Sequence, residues 1–216
     1  MILEDSEQAR VQAGEIIACG GIIAFRTDTF YGLGADPFNR TALQKIKQLK
    51  GRKENKPILV VISDLDQIER LLAQRSQTFN LLAERFWPGP LTLIGKALPR
   101  VPEEATAGTG TIGVRLPDDD KVRALVRACG GLLTATSANP SNQAPATSAQ
   151  EVGSYFGDAI DLIVDGGDAQ TGLPSTVIDV CESEPKLIRA GTIAWSDIFA
   201  ELNRRQAESP FLFGKG

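Results

Sequence analysis

Short apolar runs rich in β-branched residues alternate along the chain with stretches whose apolar positions recur every three or four residues. The runs 21–25 (GIIAF), 57–62 (PILVVI), 91–95 (LTLIG), 111–116 (TIGVRL), 132–136 (LLTAT), 161–164 (DLIV), 175–180 (STVIDV) and 186–189 (KLIR) read as strands. Several are apolar almost throughout, the pattern of strands covered on both faces. Helices are expected between them. The first covers 6–18, and 39–49 follows with Asn39 as N-cap and Leu43 and Ile46 three apart. A helix over 63–74 would carry Asp64 and Asp66 in its first turn, where the helix dipole favours acids. Residues 76–86 stop at Trp87-Pro88-Gly89-Pro90, and 118–129 end at Gly130-Gly131. Ser148 and Glu151 have capping-box spacing and open another helix, and 195–206 is the last. The alternation predicts an α/β fold: one domain over 1–208, an open twisted mixed sheet flanked by helices. A tail over 209–216 is either mobile or docked through Phe211 and Phe213. No repeat or Gly/Ser-rich linker divides the chain.

Composition narrows the chemistry. With 42% hydrophobic and 23% charged residues in 216, the chain is not disordered as a whole. No apolar run approaches the roughly 20 residues of a membrane span. The start, with Glu4, Asp5 and Glu7, does not read as a signal peptide, so a cytoplasmic protein is expected. The absence of histidine excludes a Ser-His-Asp triad, a histidine base and a histidine-ligated metal. Cys19, Cys129 and Cys181 form no CxxC pair and read as buried free thiols. Chemistry is left to Lys, Arg, Ser, Thr, Asn, Asp, Glu, Tyr or an oxygen-bound metal. The net charge of −4 gives no general field for nucleic acid. Residues 40–56 nevertheless hold seven basic residues against Glu54, a local +6. That island suits a small polyanion, and equally an ordinary solvated helix face.

Four segments carry candidate groups. Lys50 and Arg52 flank Gly51, two apart, and can converge, with Lys56 nearby and held extended by Pro57. Lysine brings a mobile point charge and arginine a planar fork for carboxylate or phosphate. In 27–34, Thr27, Thr29 and Tyr31 alternate, so three hydroxyls can line one side beside Gly32 and Gly34. This is neither a dinucleotide fingerprint nor a Walker A loop. Ser137 and Asn139 leave the carboxyl end of an apolar strand, where α/β sheets bind ligands, and Pro140 keeps Asn139 extended. Ser175 opens a strand, and Arg189 ends another just before Ala190-Gly191. Taken singly, each segment also reads as a polar turn or a surface ion pair.

Taken in order, the segments resemble the YrdC/Sua5 (TsaC) family of threonylcarbamoyl-AMP synthases, in its single-domain form. The family pairs a Lys-x-Arg with a Ser-x-Asn, here Lys50-Gly51-Arg52 and Ser137-Ala138-Asn139. The segments 27–34, 87–92, Val114-Arg115, 175–179 and 189–191 match as well, over about residues 8–192. Arg26, Lys53 and Asn142 depart from the family's usual proline, proline and glycine. The resemblance implies an open α/β sheet with a basic cleft. It implies that L-threonine, bicarbonate or CO2, and ATP with Mg²⁺ give threonylcarbamoyl-AMP and pyrophosphate. A transferase partner then modifies adenosine 37 of tRNA, and weak RNA contact by this chain stays open. Lys50 and Arg52 are then the expected catalytic cations, with Lys56 beside them. Ser137 and Asn139 would meet the α-phosphate and ribose, Thr27, Thr29 and Arg52 the threonine, and Ser175 and Arg189 the acyl-adenylate, while Tyr31 would either meet the base or ribose or serve packing. The phosphates, not protein ligands, would hold Mg²⁺. Two alternatives share the fold: a non-catalytic tRNA or double-stranded RNA binding module, and a carbamoyl-transfer domain like that of hydrogenase maturation.

Overall fold

The computed structural model describes residues 1–51, 57–169 and 172–208. Arg52, Lys53, Lys56 and the tail with Phe211 and Phe213 lie outside the described residues. The elements run β1 (Ile2–Glu4), α1 (Glu7–Ala18), β2 (Ile23–Arg26), β3 (Tyr31–Gly34), α2 (Arg40–Leu49), β4 (Leu59–Ile62), α3 (Gln77–Phe86), β5 (Leu91–Lys96) and α4 (Glu103–Thr106). There follow β6 (Thr111–Arg115), α5 (Asp120–Ala128), β7 (Leu132–Thr134), β8 (Thr136–Ser137), α6 (Ala149–Phe156), β9 (Leu162–Asp165), β10 (Thr176–Asp179), β11 (Lys186–Arg189) and α7 (Trp195–Glu208). The mixed α/β class is as expected.

The strands form two mixed sheets, not one. Their orders are β1-β9-β2-β3-β8 and β11-β10-β5-β6-β4-β7. The expected single strand over 132–136 is where they part. β7 pairs with β4 in the second sheet, and β8 pairs with β3 in the first. Between them the backbone is satisfied from both sides. The Thr134 hydroxyl accepts from Ala35 N at 2.8 Å and donates to the Leu33 carbonyl at 3.1 Å. Thr134 N donates to Ala35 O at 3.0 Å, and Ala135 N to Leu59 O at 2.8 Å.

The side-chain caps follow the sequence: Ser6, Asn39, Ser76, Asp119 and Ser148 each accept from a backbone N–H of the helix they open. The Ser148 box is half formed, because Glu151 takes Thr147 N at 2.7 Å. The helix expected over 63–74 is a 3₁₀ turn, Leu65–Arg70, without a side-chain cap. Asp64 instead pairs with Arg127 at 2.7 Å. β3 was not expected as a strand, since two of its four residues are glycine; pairing with β2 and β8 on both edges makes it one. Cys19 is exposed, contrary to the buried reading, because it caps α1 at the surface.

One buried cluster joins the sheets. Ile23 and Phe25 of β2 and Leu162 and Val164 of β9 pack with Val61 of β4 and Leu133 of β7, beneath α1 and α5. Burying each such side chain stabilises the fold by about 1.5–3 kcal/mol. Among the described residues, no helix is long and apolar enough to cross a membrane.

Candidate functional site

A cavity of about 780 Å³ lies at the seam between the sheets. Ile58, Val61, Ile94 and Val177 wall it, and Thr29, Ser137, Ser175, Arg115 and Arg189 supply polar groups. Thr27 and Tyr31 line it too, so six of the ten candidate residues meet there.

Residues 27–30 form the turn between β2 and β3. The Thr27 hydroxyl donates to the Phe30 carbonyl at 2.7 Å and accepts from Thr29 N at 3.2 Å. It therefore staples the turn, with the Thr29 hydroxyl 3.1 Å away. The expected row of three hydroxyls does not form. Tyr31 is fully buried, and its hydroxyl faces Gly167 O at 2.8 Å and Asp165 at 3.1 Å. Burial, then the Asp165 charge, pushes the phenol above its usual range.

From the second sheet, residues 87–92 act as a brace. Trp87 Nε1 donates to Leu91 O at 2.6 Å and Gly89 N to Leu116 O at 2.9 Å. The brace sets the Thr92 hydroxyl 2.9 Å from that of Ser175. Arg189 ends the exposed edge strand β11, and its guanidinium folds over Ser175, donating to the carbonyl at 2.8 Å and the hydroxyl at 2.9 Å. Partial burial of that head lowers its pKa. A Cβ at Gly191 would overlap the Pro174 carbonyl and the Ser175 backbone, so glycine permits this crossing.

Arg115 ends β6 and is 2% exposed. Its guanidinium pairs with Asp28 and lies 3.5 Å from the Thr29 hydroxyl. Burial, and secondarily the nearby Arg189, pushes its pKa down to about 9. Arg115, Asp28 and Thr92 were given no role from sequence. The available signal was an arginine closing an otherwise apolar strand.

Lys50 does not line the cavity. It caps α2, and its buried ammonium donates to the Ser137 carbonyl and, at 2.9 Å, to the Asn139 carbonyl. Gly51 turns the chain at φ +60°. Ser141 N donates to Lys50 O at 2.8 Å, and Asn139 Nδ2 to Gln143 O at 2.7 Å, closing the turn, with Asn142 at φ +69°. Lys50 and Asn139 thus support the turn that presents Ser137. The basic island is divided: Arg40 lies 3.9 Å from Glu104 and Lys45 3.8 Å from Asp161. Among the described residues no three His, Cys, Asp or Glu side chains gather to hold a metal. Two guanidiniums and the hydroxyls of Thr29, Ser137 and Ser175, set against apolar walls, can hold and neutralise an anionic ligand.

The chain is 36% identical to a threonylcarbamoyl-AMP synthase of Pyrococcus abyssi over 95% of its own length but 60% of the relative's, so it spans about three-fifths of that protein. It is 35% identical to a threonylcarbamoyl-AMP synthase of Thiobacillus denitrificans, covering 87% of this chain and 98% of that one. The structure of P. abyssi Sua5 complexed with L-threonine superposes with a TM-score of 0.90 at 34% identity, over 94% of this chain and 61% of the other. The Sua5/YciO/YrdC family model, described as telomere recombination, matches residues 15–191. The cavity, its two arginines and the Lys50-supported turn all fall inside that span, and the chain belongs to the Sua5/YciO/YrdC family.

Proposed function

We propose that the chain is an L-threonylcarbamoyladenylate synthase, converting L-threonine, bicarbonate or CO2, and ATP into threonylcarbamoyl-AMP and pyrophosphate. The observation that carries this reading is the presence of Arg115 and Arg189 together in the lining of one cavity at the sheet seam. Similarity to synthases that are covered almost end to end supports it.

The threonine amine and CO2 form a carbamate, whose oxygen attacks the α-phosphorus of ATP as pyrophosphate leaves. The chain's contribution is to gather anions and neutralise the charge that develops on them. Arg115 and Arg189 bear on the phosphate and carboxylate charges, and Ser137 and Ser175 donate hydroxyl hydrogen bonds. Thr29 faces the threonine. Lys50 and Asn139 hold the turn, and the Tyr31 ring packs as wall. Arg52 and Lys56 add cations from the neighbouring segment. Mg²⁺ would be held mainly by the ATP phosphates and would offset their charge. The product passes to a transferase that modifies adenosine 37 of tRNA, and any RNA contact by this chain is weak. The free thiols fit a cytoplasmic setting.

The test follows pyrophosphate release with ATP, Mg²⁺, bicarbonate and L-threonine, omitting each in turn. Release should require all of them. Release that ignores L-threonine would falsify this function.

A further inference from the structure

One charged group beside the cavity, paired with a residue that lines it, is used by no step above. Asp28 sits in the turn between β2 and β3, against the guanidinium of Arg115 at the end of β6, so the pair bridges the two sheets. We propose that Asp28 is the positioning residue of the buried arginine, its carboxylate fixing the Arg115 guanidinium in the lining of the cavity.

Three observations support this. The Arg115 side chain is 2% exposed and that of Asp28 13%, so the pair is screened from water on the arginine's side. A buried guanidinium without a counter-ion is strongly destabilising. Second, the turn carrying Asp28 is stapled. Thr27 N and its hydroxyl both donate to the Phe30 carbonyl, at 3.0 and 2.7 Å, which closes the backbone turn that carries Asp28. Third, Arg189 is close enough to repel Arg115. With Asp28 fixed on one of the two arginines, an incoming anion meets a stationary cation on β6 and a second on β11. The inference deepens the proposed function and rests on the cavity being the place where anionic substrates react.

The experiment uses Asp28→Ala, which removes the carboxylate and opens its volume, with formate as a replacement. Asp28→Ala should unfold at lower temperature than the parent chain. Formate should reverse much of the loss, and chloride at equal ionic strength should not. Neither the parent chain nor Asp28→Ala/Arg115→Gln should respond. Threonine-dependent pyrophosphate release by Asp28→Ala should fall about 10- to 100-fold, the cost of a misplaced charge. Formate should raise its kcat/KM, which a loosened turn alone would not allow. An Asp28→Ala protein indifferent to formate overturns the proposal. If Asp28→Ala does not fold, the double variant decides: recovery of folded protein supports the pairing, and continued failure overturns it. If the parent chain releases no pyrophosphate, the proposed activity fails while the thermal comparison still decides the role of Asp28.

Discussion

Lys50 belongs to the Lys-x-Arg pair of the sequence, yet it bonds to the 137–139 turn. Its ammonium meets two backbone carbonyls of that turn and lies 3.4 Å from the Ser137 hydroxyl, while Lys50 itself is not among the residues lining the cavity. Lys50→Met keeps the length of the side chain and leaves those carbonyls short of a donor, at about 1–3 kcal/mol for a buried group. Pyrophosphate release should fall about 100-fold as Ser137 shifts. Combined with Ser137→Ala, the loss should be smaller than the two single losses multiplied, because both act through one turn. Multiplicative losses would return Lys50 to an independent phosphate contact. The thiols give a second prediction. Burial pushes Cys129 up to about 12, and burial with Asp179 beside it pushes Cys181 up to about 12, so both stay protonated at pH 8. Cys19 is exposed. A maleimide at pH 8 should label one thiol quickly in the folded protein and three after denaturation; fast labelling of Cys129 would contradict the packing. These raised values also make the folded state the stronger proton binder. Their contribution to stability is complete below pH 9 and is lost as pH rises through 9 toward 12.

Elements defined by their own few residues were legible in the sequence, and those defined by distant partners were not. Asn39, Ser76 and Ser148 announced helix starts because a cap bonds a residue only three further on. Asp64 looked like a similar start, yet its partner Arg127 lies far along the chain. The run 132–136, Leu-Leu-Thr-Ala-Thr, carried no glycine, proline or charge to say that it changes sheets. In the site, the hydroxyls and Arg189 were readable from position, whereas the Asp28–Arg115 pair depends on how two sheets dock. The crossing is testable through Thr134→Val, which preserves shape and removes the hydroxyl. Ala35 N and the Leu33 carbonyl then lose a buried partner, costing about 1–3 kcal/mol. At about 2–4 °C per kcal/mol for a chain of this size, circular dichroism should show a Tm lower by several degrees. An unchanged Tm would remove Thr134 as the pin between sheets.

For the molecule as a whole, the seam cavity joins polar hydroxyls to apolar walls, and under the proposed function that combination should set which amino acid it takes. A site that hydrogen-bonds a substrate hydroxyl rejects an analogue lacking it, because its own group is left unpaired; an apolar pocket separates isosteres by only about 10- to 200-fold. L-threonine should therefore support pyrophosphate release well above valine, with serine between them. Equal rates for valine and threonine at matched concentration would mean that the Thr29 side of the cavity does not read the hydroxyl. The order of the first sheet carries a consequence for biosynthesis. β9 lies between β1 and β2, pairing Ile2 with Ile163 and Ile23 with Leu162. On the ribosome, the first two strands emerge long before the strand that separates them. At about 5–20 residues per second the wait is on the order of ten seconds or more. Through that interval β2 offers an open apolar edge to any neighbouring chain. Nascent polypeptides stalled before Leu162 should accordingly be captured by chaperones or aggregate, while those released beyond Asp165 close the sheet and escape.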